Sequence, residues 1–293
     1  MKVVRTKDDL KEELAAPRRD GRIIGLVPTM GSLHAGHLSL LRAARGECDV
    51  VVMSLFVNPA QFGPDEDLAG YPRDLEHDIE LATAAGADLL YSPADDEVYP
   101  EGFATAVTVS GLTEVLCGDP ARRGPEHFRG VTTIVAKLLN LVGPDVAYFG
   151  QKDAQQAVVI RRMVEDLDFP VRIEVMPTVR EPDGLAMSSR NAYLAPGDRE
   201  RAPGIHRALN AAAAAARAGS TAADALAAAR AELDSAGIEP EYLEARDAID
   251  LTPIETFNGR PALIAVAARV GDARLIDNVV VESTQRPERQ EQR

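Results

Sequence analysis

The apolar run Ile23-Ile24-Gly25-Leu26-Val27 breaks at Pro28 and leads into Thr29-Met30-Gly31-Ser32-Leu33-His34-Ala35-Gly36-His37. A strand that is apolar on both faces must be covered on both faces, which places it in a parallel sheet between layers of helices. Leu38, Leu40, Leu41 and Ala44 then repeat with helical spacing. The turn therefore sits at the carboxyl end of a strand and at a helix N-terminus, where backbone N–H groups and the helix dipole favour anions. His34 and His37 lie three apart, share a helix face and can point at one phosphate. On this segment alone, a plain strand–loop–helix turn whose histidines cap or pack fits as well.

The same alternation continues. Apolar strand patterns fall at residues 23–27, 50–57, 88–91, 145–149 and 171–176, and helical patterns at 38–45, 74–85, 131–141 and 154–167. A short amphipathic helix to about Ala16 precedes them, opened by Thr6 and Asp9 at capping-box spacing. Strands alternating with helices predict an α/β fold, a Rossmann-like doubly wound parallel sheet with right-handed crossovers. After Arg180 the pattern changes. The turn Glu181-Pro182-Asp183-Gly184 leads to an alanine-rich helical region at about 198–236, then strand-like runs at 242–245, 263–270 and 275–281. We read a first domain over residues 1–177, a smaller α+β domain over 178–283 and a charged, mobile tail over 284–293.

Charge and cysteine usage narrow the class. The 293 residues carry 32 Lys and Arg against 46 Asp and Glu, a net charge of −14 without a basic block, which argues against nucleic acid or an anionic membrane as partner. Cys48 and Cys117 lack metal-ligand spacing and read as buried reduced thiols. The N-terminus has no signal-peptide core and no stretch reaches the about 18 apolar residues of a membrane span, so the expected location is the cytoplasm.

Four further segments carry chemistry. Phe56-Val57-Asn58-Pro59-Ala60-Gln61-Phe62-Gly63 offers two amides that can orient a small hydroxy acid, or is a surface loop. Tyr148-Phe149-Gly150-Gln151-Lys152-Asp153 ends a strand and opens a helix; Lys152 suits a triphosphate there, or is a solvated charge with Asp153 as helix cap. On that helix one of Gln155 and Gln156 should face the crevice. Met187-Ser188-Ser189-Arg190 combines two hydroxyls with a guanidinium, as a mobile phosphate loop or an ordinary polar one. Glu126-His127-Phe128-Arg129-Gly130 precedes the helix expected from Val131. His77 and His206 read as solvated surface, and Asp65-Glu66-Asp67 with Asp74, Glu76 and Asp78 as hydrated carboxylates or Mg²⁺ ligands.

In this order and spacing, with the step Tyr71-Pro72-Arg73, the segments resemble the pantoate–β-alanine ligase family over about residues 22–194. The resemblance implies ATP-dependent condensation of pantoate with β-alanine to pantothenate, AMP and pyrophosphate through pantoyl adenylate. It implies that Met30, Gly31, Ser32, Leu33, His34, Ala35, Gly36 and His37 hold ATP together with Gly150, Gln151, Lys152, Asp153, Val179, Met187, Ser188, Ser189 and Arg190. His37, His34, Lys152 and Arg190 would be catalytic, His37 donating a proton. Gln61 and Gln156 would bind pantoate, with Gln61 also near β-alanine. It further implies Mg²⁺ with the ATP, its protein ligands unassigned, and a homodimer; the turn Glu181–Gly184 and the small second domain suggest a lid carrying Ser188, Ser189 and Arg190, with the loop of residues 118–124 as a second candidate gate. His77 stands where some relatives have a carboxylate.

The residues agree with such chemistry. Each substrate supplies its own nucleophile, and no Ser or Cys with a base at motif spacing is present. Two other classes remain open at this point. A nucleotidylyltransferase would need a second cationic site where this chain has neutral Asn58 and Gln61, and a nucleotide-sensing module would bind ATP without turnover. A zinc site on His34 and His37 lacks a nearby third ligand.

Overall fold

A computed structural model describes residues 1–63, 68, 70–71 and 73–282. The acidic run Asp65-Glu66-Asp67, Pro72 and the tail 284–293 lie outside the described residues. The chain divides into two compact units: Met1–Val179 with Met187–Ser189, and Arg180–Ala186 with Arg190–Arg293. It crosses between them after Val179, after Ala186 and after Ser189, so the tetrapeptide Met187-Ser188-Ser189-Arg190 is shared by both.

The first unit is a six-stranded, wholly parallel sheet. In chain order it contains β1 (Lys2–Val4), α1 (Lys7–Arg19), β2 (Ile24–Thr29), α2 (Ala35–Glu47), β3 (Val50–Leu55), α3 (Leu75–Ala84), β4 (Leu89–Tyr91) and α4 (Asp95–Val98). It continues through α5 (Pro125–Val142), β5 (Val146–Gly150), α6 (Ala154–Asp166) and β6 (Arg172–Met176). The spatial order is β1-β4-β3-β2-β5-β6. The connections run outward through β3 and β4 on one side of β2 and resume at β5 on the other. The order therefore reverses between β2 and β5, which is where open α/β sheets place their ligand crevice. Because β3, β2 and β5 are adjacent and parallel, the loops leaving their carboxyl ends emerge side by side. These are the loops that carry Asn58 and Gln61, the histidine motif, and Lys152.

Two departures from the sequence reading have local causes. The strand β1 escapes a periodicity reading because it is three residues long; it is made by pairing with β4, Val3 opposite Leu90. The helix expected from Val131 starts six residues earlier, at Pro125, behind Gly124 with φ +85°. Proline at the first helical position needs no N–H partner there, and the polar first turn conceals the helix from an apolar pattern. The segment Glu126–Gly130 is therefore helical rather than a turn before a helix.

The second unit packs α7 (Pro196–Arg201), α8 (Gly204–Arg217) and α9 (Ala222–Ser235) with a three-stranded antiparallel sheet, β7 (Pro240–Asp247), β8 (Ala262–Val270) and β9 (Ala273–Val281), in the order β7-β8-β9. The alanine-rich region is thus three helices. Ala208, Ala212, Ala213 and Ala216 of α8 and Ala222, Ala225 and Ala229 of α9 are all buried. Small side chains let two helices approach closely, but each buries little apolar area, so the few large residues carry a large share of the burial. Leu209 and Leu233 are fully enclosed among them. Leu209→Ala is expected to destabilise the protein by about 3 kcal/mol, read from urea unfolding, because a rigid alanine surround collapses poorly onto a cavity.

Candidate active site

The turn after β2 is held by a carboxylate. Gly31 and Ser32 both have positive φ, +85° and +53°, so the backbone makes a left-handed step before α2. The buried Asp78 on α3 accepts the N–H groups of Ser32 (2.9 Å) and Leu33 (2.7 Å). Left-handed backbone at a non-glycine residue costs on the order of 1 kcal/mol or more. Two hydrogen bonds to a carboxylate, each worth roughly 1.5–3 kcal/mol, outweigh it. The sequence reading had placed Asp78 among hydrated or Mg²⁺-binding carboxylates. It is 2% exposed and faces the loop because Leu75, Asp78 and Ala82 share the inward side of α3. Asp74 instead caps α3 through the N–H of His77, which is exposed as expected.

Five N–H groups of the motif are taken internally. Gly31 N–H reaches Thr29 Oγ1, Ser32 and Leu33 serve Asp78, Gly36 N–H donates to His34 Nδ1 at 3.1 Å, and His34 N–H to His37 Nδ1 at 3.3 Å. The anion-binding amides expected from the sequence at these positions are thereby occupied. The capping has a second effect. Each Nδ1 accepts from a main-chain N–H, so in each neutral ring the proton is on Nε2. Two imidazoles tilted by 31° with centroids 4.1 Å apart thus hold Nε2–H donors. Burial, then the charge of Lys152, pushes His34 down to about 4. Burial, then His34 itself, pushes His37 down to about 3. Asp153 opposes both shifts only in part.

The neighbouring strand ends complete the arrangement. Lys152, in the 3-10 turn Gln151–Asp153 after β5, is mostly buried with its ammonium 3.5 Å from Asp153 Oδ1. Its charge lowers the pKa of both imidazoles, after the larger effect of burial. Beyond Gly150 a Cβ would meet open space, so the backbone there is approachable. After β3, Gln61 Nε2 lies 2.8 Å from Met30 Sδ, bringing the amide loop against the histidine motif. Met187 is bonded to Val179 through its N–H, and a Cβ on Gly36 would lie 3.9 Å from Met187 Cβ. Ser188 and Ser189 follow in the same unit, while Arg190 belongs to the second.

Of the two glutamines on α6, Gln155 is buried and pins a loop, accepting from Cys117 N–H and donating to the carbonyls of Leu112 and Val115. Gln156 is half-buried. The same contacts anchor the start of the loop of residues 118–124, whose Gly118 packs on the Thr113 carbonyl with no room for a Cβ. Asn58 is likewise buried and bonded to Ala60, Gln61, Tyr99 and Gly130, which leaves it no amide valence for a ligand. His206 also departs from the solvated reading. Its ring packs under Gly184 with Nδ1 buried, and burial followed by the Arg180 charge lowers its pKa. Both cysteines are buried thiols without a disulfide, Cys48 being raised by burial. Among the described residues no three His, Cys, Asp or Glu side chains converge on a metal position, and no helix is long and apolar enough to cross a membrane.

Comparison with known proteins adds the family to this geometry. The family model for Pantoate-beta-alanine ligase matches residues 2–280. The chain belongs to the pantoate–β-alanine ligase family. Its relatives include the pantothenate synthetase of Moorella thermoacetica, 56% identical over 96% of this chain and 99% of that one. Pantothenate synthetase from Thermus thermophilus superposes with a TM-score of 0.88 at 49% identity, over 95% of this chain and 99% of that chain. The pantoate–β-alanine ligase of Francisella tularensis, solved with β,γ-ATP and β-alanine, superposes with a TM-score of 0.79 at 32% identity, over 96% of this chain and 97% of that chain.

In this member of the pantoate–β-alanine ligase family, the framing parts played by Asp78 and Gln155 emerge only in three dimensions. Asp78 had left one signal, a carboxylate at the apolar spacing of α3. Because both motif histidines titrate below the unfolded value of 6.5, the unfolded chain binds protons that the folded chain does not as pH falls. Their contribution to stability is complete above about pH 6.5 and declines toward pH 4. Replacing both with glutamine is expected to flatten the pH dependence of the urea midpoint across that window. Nitrogen-15 spectra of the wild type should find both rings neutral and Nε2-protonated at pH 6; a value above 6 for either ring would overturn the assignment.

Proposed function

We infer that this chain joins pantoate to β-alanine at the expense of ATP, through a pantoyl adenylate. A pantoate carboxylate oxygen attacks the α-phosphorus; the new O–P bond forms as the bond to the β-phosphate oxygen breaks, and pyrophosphate departs. The neutral amine of β-alanine then attacks the acyl carbon, the C–N bond forms, AMP leaves with the carboxyl oxygen it carried, and the amine loses a proton.

What supports this reading is the pair of imidazoles whose Nδ1 atoms are capped by main-chain N–H groups, leaving Nε2–H donors on the loop after β2, with Lys152 on the loop after the adjacent strand β5. Charge develops on the phosphates in the first step, and donors held in place before the reaction stabilise it without reorganisation. His37 and His34 donate hydrogen bonds to the phosphates and Lys152 supplies positive charge. As a neutral ring of low pKa, His37 acts in the resting enzyme as a hydrogen-bond donor rather than an imidazolium acid. Met30 to His37, Gly150 to Asp153, Val179 and Met187 to Arg190 form the ATP site, and Gln61 and Gln156 bind pantoate, Gln61 next to β-alanine. Within the motif, Ser32 and Leu33 shape that site, since their N–H groups are engaged by Asp78.

Mg²⁺ would be held chiefly by the triphosphate and would supply positive charge to it, in a site where Asp78 is committed to the loop and Asp153 sits against Lys152. An acyl adenylate hydrolyses if water reaches it, and the smaller domain, which begins again at Arg190 directly after Ser188 and Ser189, is assigned the part of a lid. We place the enzyme in the cytoplasm as a homodimer, in keeping with the family resemblance.

Labelled pyrophosphate should exchange into ATP when pantoate is present and β-alanine absent; exchange that requires β-alanine, or none at all, would overturn the adenylate. His37→Ala should slow that exchange about 10²–10³-fold with an unchanged circular dichroism spectrum. Arg190→Ala should release adenylate faster than it forms pantothenate, seen as AMP in excess of pantothenate, whereas a 1:1 ratio removes the lid.

A further inference from the structure

The orientation of Gln61 can be traced from main-chain groups that each admit one role. Ala60 N–H can only donate, and it meets Asn58 Oδ1 at 3.3 Å. Gly130 C=O can only accept, and it lies 3.1 Å from Asn58 Nδ2. Those two contacts determine which end of the Asn58 amide is oxygen, without any hydrogen being located. Tyr99 Oη must then donate to Oδ1 across 2.7 Å. The second Nδ2 hydrogen goes to Gln61 Oε1 at 3.2 Å. Gln61 therefore turns its oxygen toward Asn58 and its Nε2 toward Met30 and the histidine motif, as a hydrogen-bond donor.

The Gln61 main chain is held by α5. Gly130 lets the helix lie directly on this loop: a Cβ there would sit 2.3 Å from Ala60 O and 2.6 Å from Gln61 Cα. In the first turn of the same helix, His127 Nδ1 is 2.8 Å from Gln61 O. A carbonyl only accepts, so Nδ1 carries the proton. The other nitrogen, Nε2, is 3.1 Å from Arg123 Nη1, a group that only donates. Both contacts demand the same state, a neutral ring with Nδ1–H, the opposite tautomer to that of His34 and His37.

We propose that His127 is a positioning residue for substrate recognition: by holding the Gln61 carbonyl it keeps the Asn58-oriented amide in place, with its Nε2–H donors toward the acceptor oxygens of the hydroxy acid. This rests on the assignment of Gln61 to pantoate made above. The arrangement selects an acid whose oxygen accepts at that point. His127 touches no reacting atom, and its loss weakens pantoate binding while leaving the ATP side alone.

Steady-state kinetics of His127→Phe, His127→Ala, His127→Asn and Gln61→Ala test it. Phenylalanine keeps the ring volume and removes the donor, whereas asparagine restores an N–H near the position of Nδ1. His127→Phe and His127→Ala are expected to raise the KM for pantoate about tenfold, the loss of one well-placed hydrogen bond, with the KM for ATP changed less than twofold. His127→Asn should recover most of that loss. A merely structural role would lower the melting temperature without separating the two KM values, and that result would overturn the proposal. If Gln61→Ala raises the pantoate KM and neither donor-less variant does, the positioning role fails and the function stands. If Gln61→Ala leaves that KM unchanged, the assignment of Gln61 itself fails. Nitrogen-15 spectra read the ring directly: an Nδ1–H tautomer at His127 is expected, and an Nε2–H tautomer would sink the proposal even if a variant does not fold.

Discussion

The contact between Asp78 and the N–H groups of Ser32 and Leu33 supports everything else in the site. It stabilises a left-handed turn directly after the central strand, and that turn determines where α2 begins. Where α2 begins decides which N–H groups the two imidazoles can cap, and the capping decides their tautomers. A buried carboxylate thus reaches the chemistry through three successive geometric constraints, without contacting either histidine ring. It also provides the negative partner for amides that would otherwise attract a phosphate themselves.

Two modes of anion binding compete at a helix N-terminus. Bare N–H groups and the dipole can meet the anion directly, or side chains can cap the amides and present donors of their own. In this chain His34 and His37 cap two of the amides at the start of α2. Imidazoles offer directional N–H groups at longer reach and, because burial keeps them uncharged, at no cost in charge repulsion with Lys152. The same device recurs with the opposite tautomer at His127, where the acceptor is the Gln61 carbonyl and the donor is Arg123. In each case a main-chain group of fixed polarity decides where the imidazole proton resides.

Much of the fold was legible because strand and helix periods are local properties. The strands β2 to β6 and the helices α2, α3 and α6 lie within a few residues of where hydropathy put them. What escaped notice did so for stated reasons. The strand β1 is too short to have a period and exists through its pairing with β4. The first turn of α5 is polar, and so Glu126 to Gly130 read as a loop. His206 looked solvated among alanines and charges, but Gly184 leaves room for its ring to be covered from a distant point in the chain.

The sequence by itself determined the alternation that makes a parallel sheet and membership of the pantoate–β-alanine ligase family, because these depend on residue type and spacing along the chain. Only the tertiary structure decided which polar groups hold the frame. Asn58, Asp78 and Gln155 look like candidate ligand groups in a linear reading, yet each is bonded to groups from remote segments. Hydrogen-bond saturation is a property of neighbours in space, and a linear sequence does not say who those neighbours are.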